Sequence, residues 1–125
     1  RFIGQSREAP AVFKRNGYYY MLSSGCTGWD PNKAKWAVSD SMMGVWELKD
    51  NPCLGRDAEK TFYAQSTYVL PIEGMQDQFI AMFDRWNKTD LINSRYVWLP
   101  IEFDGDRPLI RWADQWSTQT MEAVY

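Results

Sequence analysis

Histidine is absent from the 125 residues. That absence removes Ser-His-Asp nucleophile activation, imidazole metal sites and imidazole proton shuttles from this segment. Cysteine is nearly as scarce: Cys26 and Cys53 are the only two, and their spacing fits no zinc or redox motif. They read either as two buried free thiols or as one disulfide, the second being suited to a secreted protein. No apolar run approaches the roughly 18 residues of a membrane span. Charge of one sign is lacking too, with 14 basic against 16 acidic residues and no long block of either. The partners implied therefore include neither nucleic acid nor an anionic membrane surface.

Aromatic residues are plentiful, with seven Trp, seven Tyr and six Phe at a mean hydropathy of -0.52. Disordered chains are poor in such residues and cannot bury enough surface to fold, so this chain folds. Its length suits one domain or part of a larger one. It starts at Arg1 with no initiator Met and enters patterned sequence within ten residues, which reads as a piece of a longer protein. Asn87-Lys88-Thr89 is a formal glycosylation sequon of a kind common by chance.

The periodicity is strand-like almost throughout. Ala11 to Lys14 and Tyr18 to Ser24 flank Asn16-Gly17, a strong hairpin signal. Lys35 to Ser39 and Val45 to Lys49 follow, joined across Asp40 to Gly44. Thr67 to Ile72, Phe79 to Asp84, Tyr96 to Phe103 and Leu109 to Trp112 repeat the scheme, with turns at Glu73-Gly74 and Asp104-Gly105-Asp106. No amphipathic helix of ten or more residues is visible. The halves superpose with Val12 on Val69, Tyr19 on Phe79, Met21 on Ala81, Trp36 on Tyr96 and Trp46 on Ile110, at offsets of 57 to 64 residues. The expectation is an all-β chain of two antiparallel four-stranded units over residues 1–60 and 61–116, with a tail at 117–125. Units of this kind bury their faces by stacking as β-propeller blades, and two blades imply further chain.

Without histidine, acid-base chemistry falls to carboxylates and their amide relatives. Glu8 precedes Ala9-Pro10 at the entrance of the first strand, where proline restrains the chain and keeps Glu8 out of α geometry. It is either a site carboxyl or an exposed loop glutamate. Gln65 takes the matching place before the first strand of the second unit, so a real repeat sends both toward one axial cavity. Most of Tyr18, Tyr19, Tyr20, Trp36, Trp46, Tyr68, Phe79, Tyr96 and Trp98 read as core. Trp29 and Trp86 differ, because each stands in a polar loop or strand end where an indole either stacks on a pyranose or anchors the loop.

Several motifs in order carry a resemblance over nearly the whole chain. Glu8-Ala9-Pro10, Val12-Phe13-Lys14, Asn16-Gly17-Tyr18-Tyr19-Tyr20, Ser24-Gly25 and Thr27-Gly28-Trp29 resemble the acid-bearing strand of glycoside hydrolase family 43, a five-bladed propeller family. The loop from Ser39 to Trp46 is similar to the family's inter-strand loop. Gln65-Ser66-Thr67-Tyr68-Val69, Asp84-Arg85-Trp86 and Ser94 to Phe103 resemble its exo-β-1,3-galactanase branch.

The resemblance implies inverting hydrolysis of a glycosidic bond, in which one carboxyl protonates the leaving oxygen while water attacks from the opposite face. Glu8 matches the family's acid and must hold its proton near neutral pH, through burial or a neighbouring negative charge. The usual basic aspartate belongs to an upstream region that these residues do not include. In the galactanase branch a glutamine matching Gln65 is associated with the water. Because an amide is a very weak base, Gln65 is expected to position water or bind a substrate hydroxyl. Thr27 matches a substrate-contacting threonine, with Trp29 and Trp86 as further sugar-binding candidates. The missing histidine points away from the arabinan and xylan branches, which place one near the axis. The expected partners are an oligo- or polysaccharide and the remaining blades; no cofactor is expected, a structural calcium elsewhere in the full protein staying open. Location outside the cytoplasm, extracellular or periplasmic, follows from the substrate class. The competing readings are a non-catalytic carbohydrate-binding module, which has no need of a carboxyl at Glu8, and a structural propeller that binds no saccharide.

Overall fold

The computed structural model describes residues 7–26, 32–74, 78–85, 95–113 and 116, and these form two sheets. The first sheet runs β1 (Arg7–Arg15), β2 (Tyr18–Gly25), β3 (Lys35–Ser39) and β4 (Glu47–Leu48) in sequence order, every pair antiparallel. Asn16 at φ 52° and Gly17 at φ 82° turn the chain between β1 and β2. Two consecutive positive φ values are what a tight hairpin with native twist requires, and the Asn-Gly pair adopts them readily.

The second sheet contains β6 (Gln65–Pro71), β7 (Phe79–Arg85), β8 (Arg95–Asp104) and β9 (Arg107–Arg111) as an antiparallel run. A fifth strand, β5 (Cys53–Leu54), adds to its edge parallel to β9. The crossing between sheets thus falls between Leu48 and Cys53, ahead of the expected boundary at 60/61. The short β5 escaped sequence reading because two residues carry no periodicity. A 3-10 segment, Ala58–Tyr63, connects it to β6 and buries Phe62 completely.

The internal repeat is present in the hydrogen-bond register. Val12 faces Met21 as Val69 faces Ala81, and Glu8 faces Ser24 as Gln65 faces Asp84. One correspondence shifts: Trp36 faces Leu22, whereas Met82, the equivalent of Leu22, faces Trp98. Trp98 rather than Tyr96 is therefore the counterpart of Trp36.

The core lies between the sheets. Phe13 stacks on Tyr20 at 5.2 Å and meets Phe79 of the other sheet at 4.9 Å, while Phe103 packs edge-on against all three. Tyr20 continues the stack onto Trp36 at 5.9 Å. Leu22, Phe83, Leu99, Ile101 and Ile110 complete it, each at most 1% exposed. Period-2 alternation explains the assignment, because every second residue of β2, β7 and β8 points to this layer.

Four of the aromatics expected in the core are instead exposed: Tyr18 (48%), Tyr68 (54%), Tyr96 (74%) and Trp98 (49%). Three of them stand on the second sheet. Tyr68, Met82 and Trp98 form one cross-strand row, and Leu70 lies beside Ile80 in the next. Their register equivalents in the first sheet, Ala11, Leu22, Trp36 and Phe13, are the residues that pack on the second sheet. The outer face of the second sheet thus repeats a packing face, and among the described residues no sheet covers it. Neither cysteine is bonded; Cys53 is buried as expected, but Cys26 is exposed.

Two outcomes follow from this packing. Phe13→Ala in the intact protein should cost about 3–5 kcal/mol, since it removes a ring at the junction of both sheets; the shift of the urea midpoint measures it. Burial raises the Cys53 thiol from 9.0 to about 12. The folded state then holds this proton where the unfolded chain releases it. Its contribution to stability is complete below pH 9 and is lost as pH rises toward 12. Urea midpoints across that range should fall less steeply in Cys53→Ala than in the unsubstituted protein.

Candidate active site

The starts of β1 and β6 and the end of β2 meet at one end of the two sheets. Glu8 extends from β1, Gln65 from β6 and Ser24 from β2. Gln65 Nε2 donates to Glu8 Oε1 at 2.9 Å and to Ser24 Oγ at 2.8 Å. The expectation that Glu8 and Gln65 converge from successive repeats is met by a direct hydrogen bond. Among the described residues nothing bonds Glu8 Oε2 or Gln65 Oε1, so an acidic oxygen and an amide carbonyl remain available to a ligand.

The backbone around Glu8 is unusual, and its cause is local. The β1–β2 register slips by one residue between Glu8 and Ala11, a β-bulge, and Ala9 sits at φ 53°. Residues with a Cβ rarely adopt positive φ, so something must hold Ala9 there. Ser66 does so from the neighbouring sheet, its buried hydroxyl donating to the Ala9 carbonyl at 2.6 Å. Proline restricts the residue immediately before it, which is Ala9 and not Glu8. Glu8 is extended because it pairs with Ser24, so the role expected for Pro10 is corrected: as an exposed residue on an edge strand, it occupies the bulge without costing a ladder hydrogen bond.

Arg7 supports the same strand end. Its Nε and Nη2 donate to the Ser23 hydroxyl and carbonyl at 3.1 and 2.8 Å. Burial lowers its pKa, with Cys26 acting in the opposite direction. Beyond β2 the chain is clipped: the Asn32 side chain accepts from Gly25 N at 2.8 Å and donates to Gly25 O at 2.9 Å. Thr61 then donates to Asn32 O at 2.6 Å and accepts from Ala34 N at 2.9 Å. The clip brackets residues 27–31. Thr27, Trp29 and Trp86, the candidate sugar contacts, lie outside the described residues.

Sequence reasoning missed Ser24, Ser66 and Arg7 as parts of this site. Only register could have found Ser24. A two-residue turn at Asn16-Gly17 places Gly25 opposite Glu8, and the bulge moves Ser24 there instead.

No protein-family model and no curated protein matches the chain. Solved structures do. A family 43 β-1,3-galactosidase solved with galactodeoxynojirimycin is 53% identical, with a TM-score of 0.84 over 88% of this chain and 32% of its own. The chain belongs to glycoside hydrolase family 43. An exo-β-1,3-galactanase from Phanerochaete chrysosporium, solved with β-1,3-galactotriose, is 33% identical, with a TM-score of 0.80 over 94% of this chain and 27% of its own. One from Clostridium thermocellum is 38% identical, with a TM-score of 0.71 over 84% and 23%. The chain thus spans about a quarter to a third of these family 43 proteins.

The Ser66 contact yields a test of how the strand bearing Glu8 is held. Ser66→Ala should destabilise the intact protein by about 1 kcal/mol, the ordinary net worth of one hydrogen bond. Ser66→Thr, which keeps the hydroxyl, should recover most of that loss in the same denaturation measurement.

Proposed function

We propose that the protein carrying this chain hydrolyses β-1,3-linked galactan, or the side chains of arabinogalactan, from an end and with inversion, with Glu8 as its general acid. The observation that carries this reading is the hydrogen bond between Glu8 and Gln65, which joins two strand entrances into one site in a family 43 fold. The solved galactosidase and galactanases support the substrate class. The shared fold and the order of motifs support the reaction type.

In this mechanism Glu8 gives its proton to the glycosidic oxygen as the bond to the anomeric carbon breaks. Water attacks that carbon from the opposite face. Acid and water-activating groups of inverting enzymes stand about 6.5–9.5 Å apart to leave room for sugar and water. Gln65 Nε2 touches Glu8 Oε1 at 2.9 Å, so a sugar entering between them opens that bond, and Gln65 Oε1 serves the water or a sugar hydroxyl. An amide carbonyl accepts a hydrogen bond well and a proton poorly. Gln65 therefore orients, and the base comes from outside these residues. Such a substrate is a polymer met outside the cytoplasm, and among the described residues no helix is long and apolar enough to cross a membrane.

Glu8→Gln in the intact protein should reduce galactose release from β-1,3-galactan by about 10²–10⁴-fold, the usual worth of general acid catalysis. Affinity for galactose should change only a few-fold. Unchanged release would remove Glu8 from the reaction and favour a carbohydrate-binding module. The isolated 125-residue chain should release no sugar, since it spans only part of the fold.

A further inference from the structure

We infer that Ser24 is a positioning residue of this site: its hydroxyl fixes which way the Gln65 amide faces, and so presents the amide carbonyl to the ligand. The inference rests on the reading of Glu8 and Gln65 given above and extends it to a residue with no assigned role.

A glutamine amide has two N–H donors on one side and a carbonyl acceptor on the other, and only its partners decide which side faces where. In this site both donors are committed. One hydrogen of Gln65 Nε2 goes to Glu8 Oε1 at 2.9 Å and the other to Ser24 Oγ at 2.8 Å. Turning the amide over would set its carbonyl oxygen against Glu8 Oε1, which accepts and cannot donate while the acid's proton is on Oε2. Ser24 can accept because its own hydrogen points elsewhere, toward the Glu8 carbonyl in a long contact of 3.5 Å. Ser24 as a whole is only 4% exposed, so water cannot easily replace its hydroxyl.

Ser24 matters most when a sugar is present. Substrate entering between Glu8 and Gln65 breaks the 2.9 Å bond, and one of the two restraints on the amide is lost. Ser24 is the partner that remains. It keeps Nε2 turned toward β2 and leaves Oε1 as the acceptor for the water or sugar hydroxyl. A neutral hydroxyl at position 24 accepts this N–H without adding charge beside Glu8; the equivalent register position of the second sheet holds Asp84, facing Gln65.

The test is steady-state kinetics of the intact protein on β-1,3-galactan, with thermal melting as control. Ser24→Ala should lower kcat about ten- to hundredfold, as expected for a misplaced reacting group, with KM within about threefold. Ser24→Thr should recover most of kcat. In a Gln65→Ala background, Ser24→Ala should change kcat less than twofold, because Ser24 acts through the amide. Wild-type kcat in Ser24→Ala overturns the inference, as does an undiminished effect in the Gln65→Ala background. If Ser24→Ala loses its native melting transition, Ser24→Thr decides: a folded Thr variant with kcat as low as Gln65→Ala overturns the inference, and near wild-type kcat supports it. Glu8→Gln measured in parallel separates the two levels. Full activity there means that the reading of the site itself has failed, whatever Ser24→Ala does.

Discussion

The contact on which the rest depends is the aromatic junction of Phe13, Tyr20, Phe79 and Phe103. It is the place where the first sheet registers on the second. Neither sheet could bury its inner face alone, and rings of this size gain from offset and edge-on contacts as well as from area. The junction also brings the edge strands β1 and β6 together. Once they lie side by side, the entrances of both strands fall at the same end, and two residues 57 positions apart share a hydrogen bond. The position of Glu8 is thus set by apolar packing several residues away along the same strand.

Much of this was legible in the sequence because repeats and alternation are long-range signals. The Asn16-Gly17 hairpin, the strands that alternate in burial and the pairing of Glu8 with Gln65 all follow from period-2 pattern and a repeat offset. The unread parts share a cause. β5 is two residues long and owes its existence to the edge of β9, so nothing local marks it. The partners of Glu8 depend on a one-residue slip at Ala9, and a bulge exchanges the identity of every cross-strand neighbour beyond it. Ser24 and Ser66 are ordinary strand serines until that slip is known. The exposed aromatics Tyr68 and Trp98 were misread for a different reason. Their pattern is that of a buried face, and a pattern cannot say whether the covering sheet is present.

The bulge is also where the two sheets are mechanically coupled. Ala9 in the left-handed region costs on the order of 1 kcal/mol, a cost offset from the neighbouring sheet by the Ser66 hydroxyl. Gln65, the residue before Ser66, reaches the carboxyl of Glu8, the residue before Ala9. Two consecutive residues of β6 therefore grip two consecutive residues of β1. Such a double attachment restrains Glu8 in both position and orientation, which a single contact would not do.

The Gly25–Asn32–Thr61 clip has a consequence for how this region can vary. Closing a loop costs entropy, and that cost rises only slowly with length. Here the closure is carried by the Asn32 side chain on the Gly25 backbone and by a threonine from the segment before β6. The two ends are thus fixed by contacts that do not depend on the identity of the bracketed residues, so Gly25 keeps its place beside Ser24 and opposite Arg7 whatever those residues are.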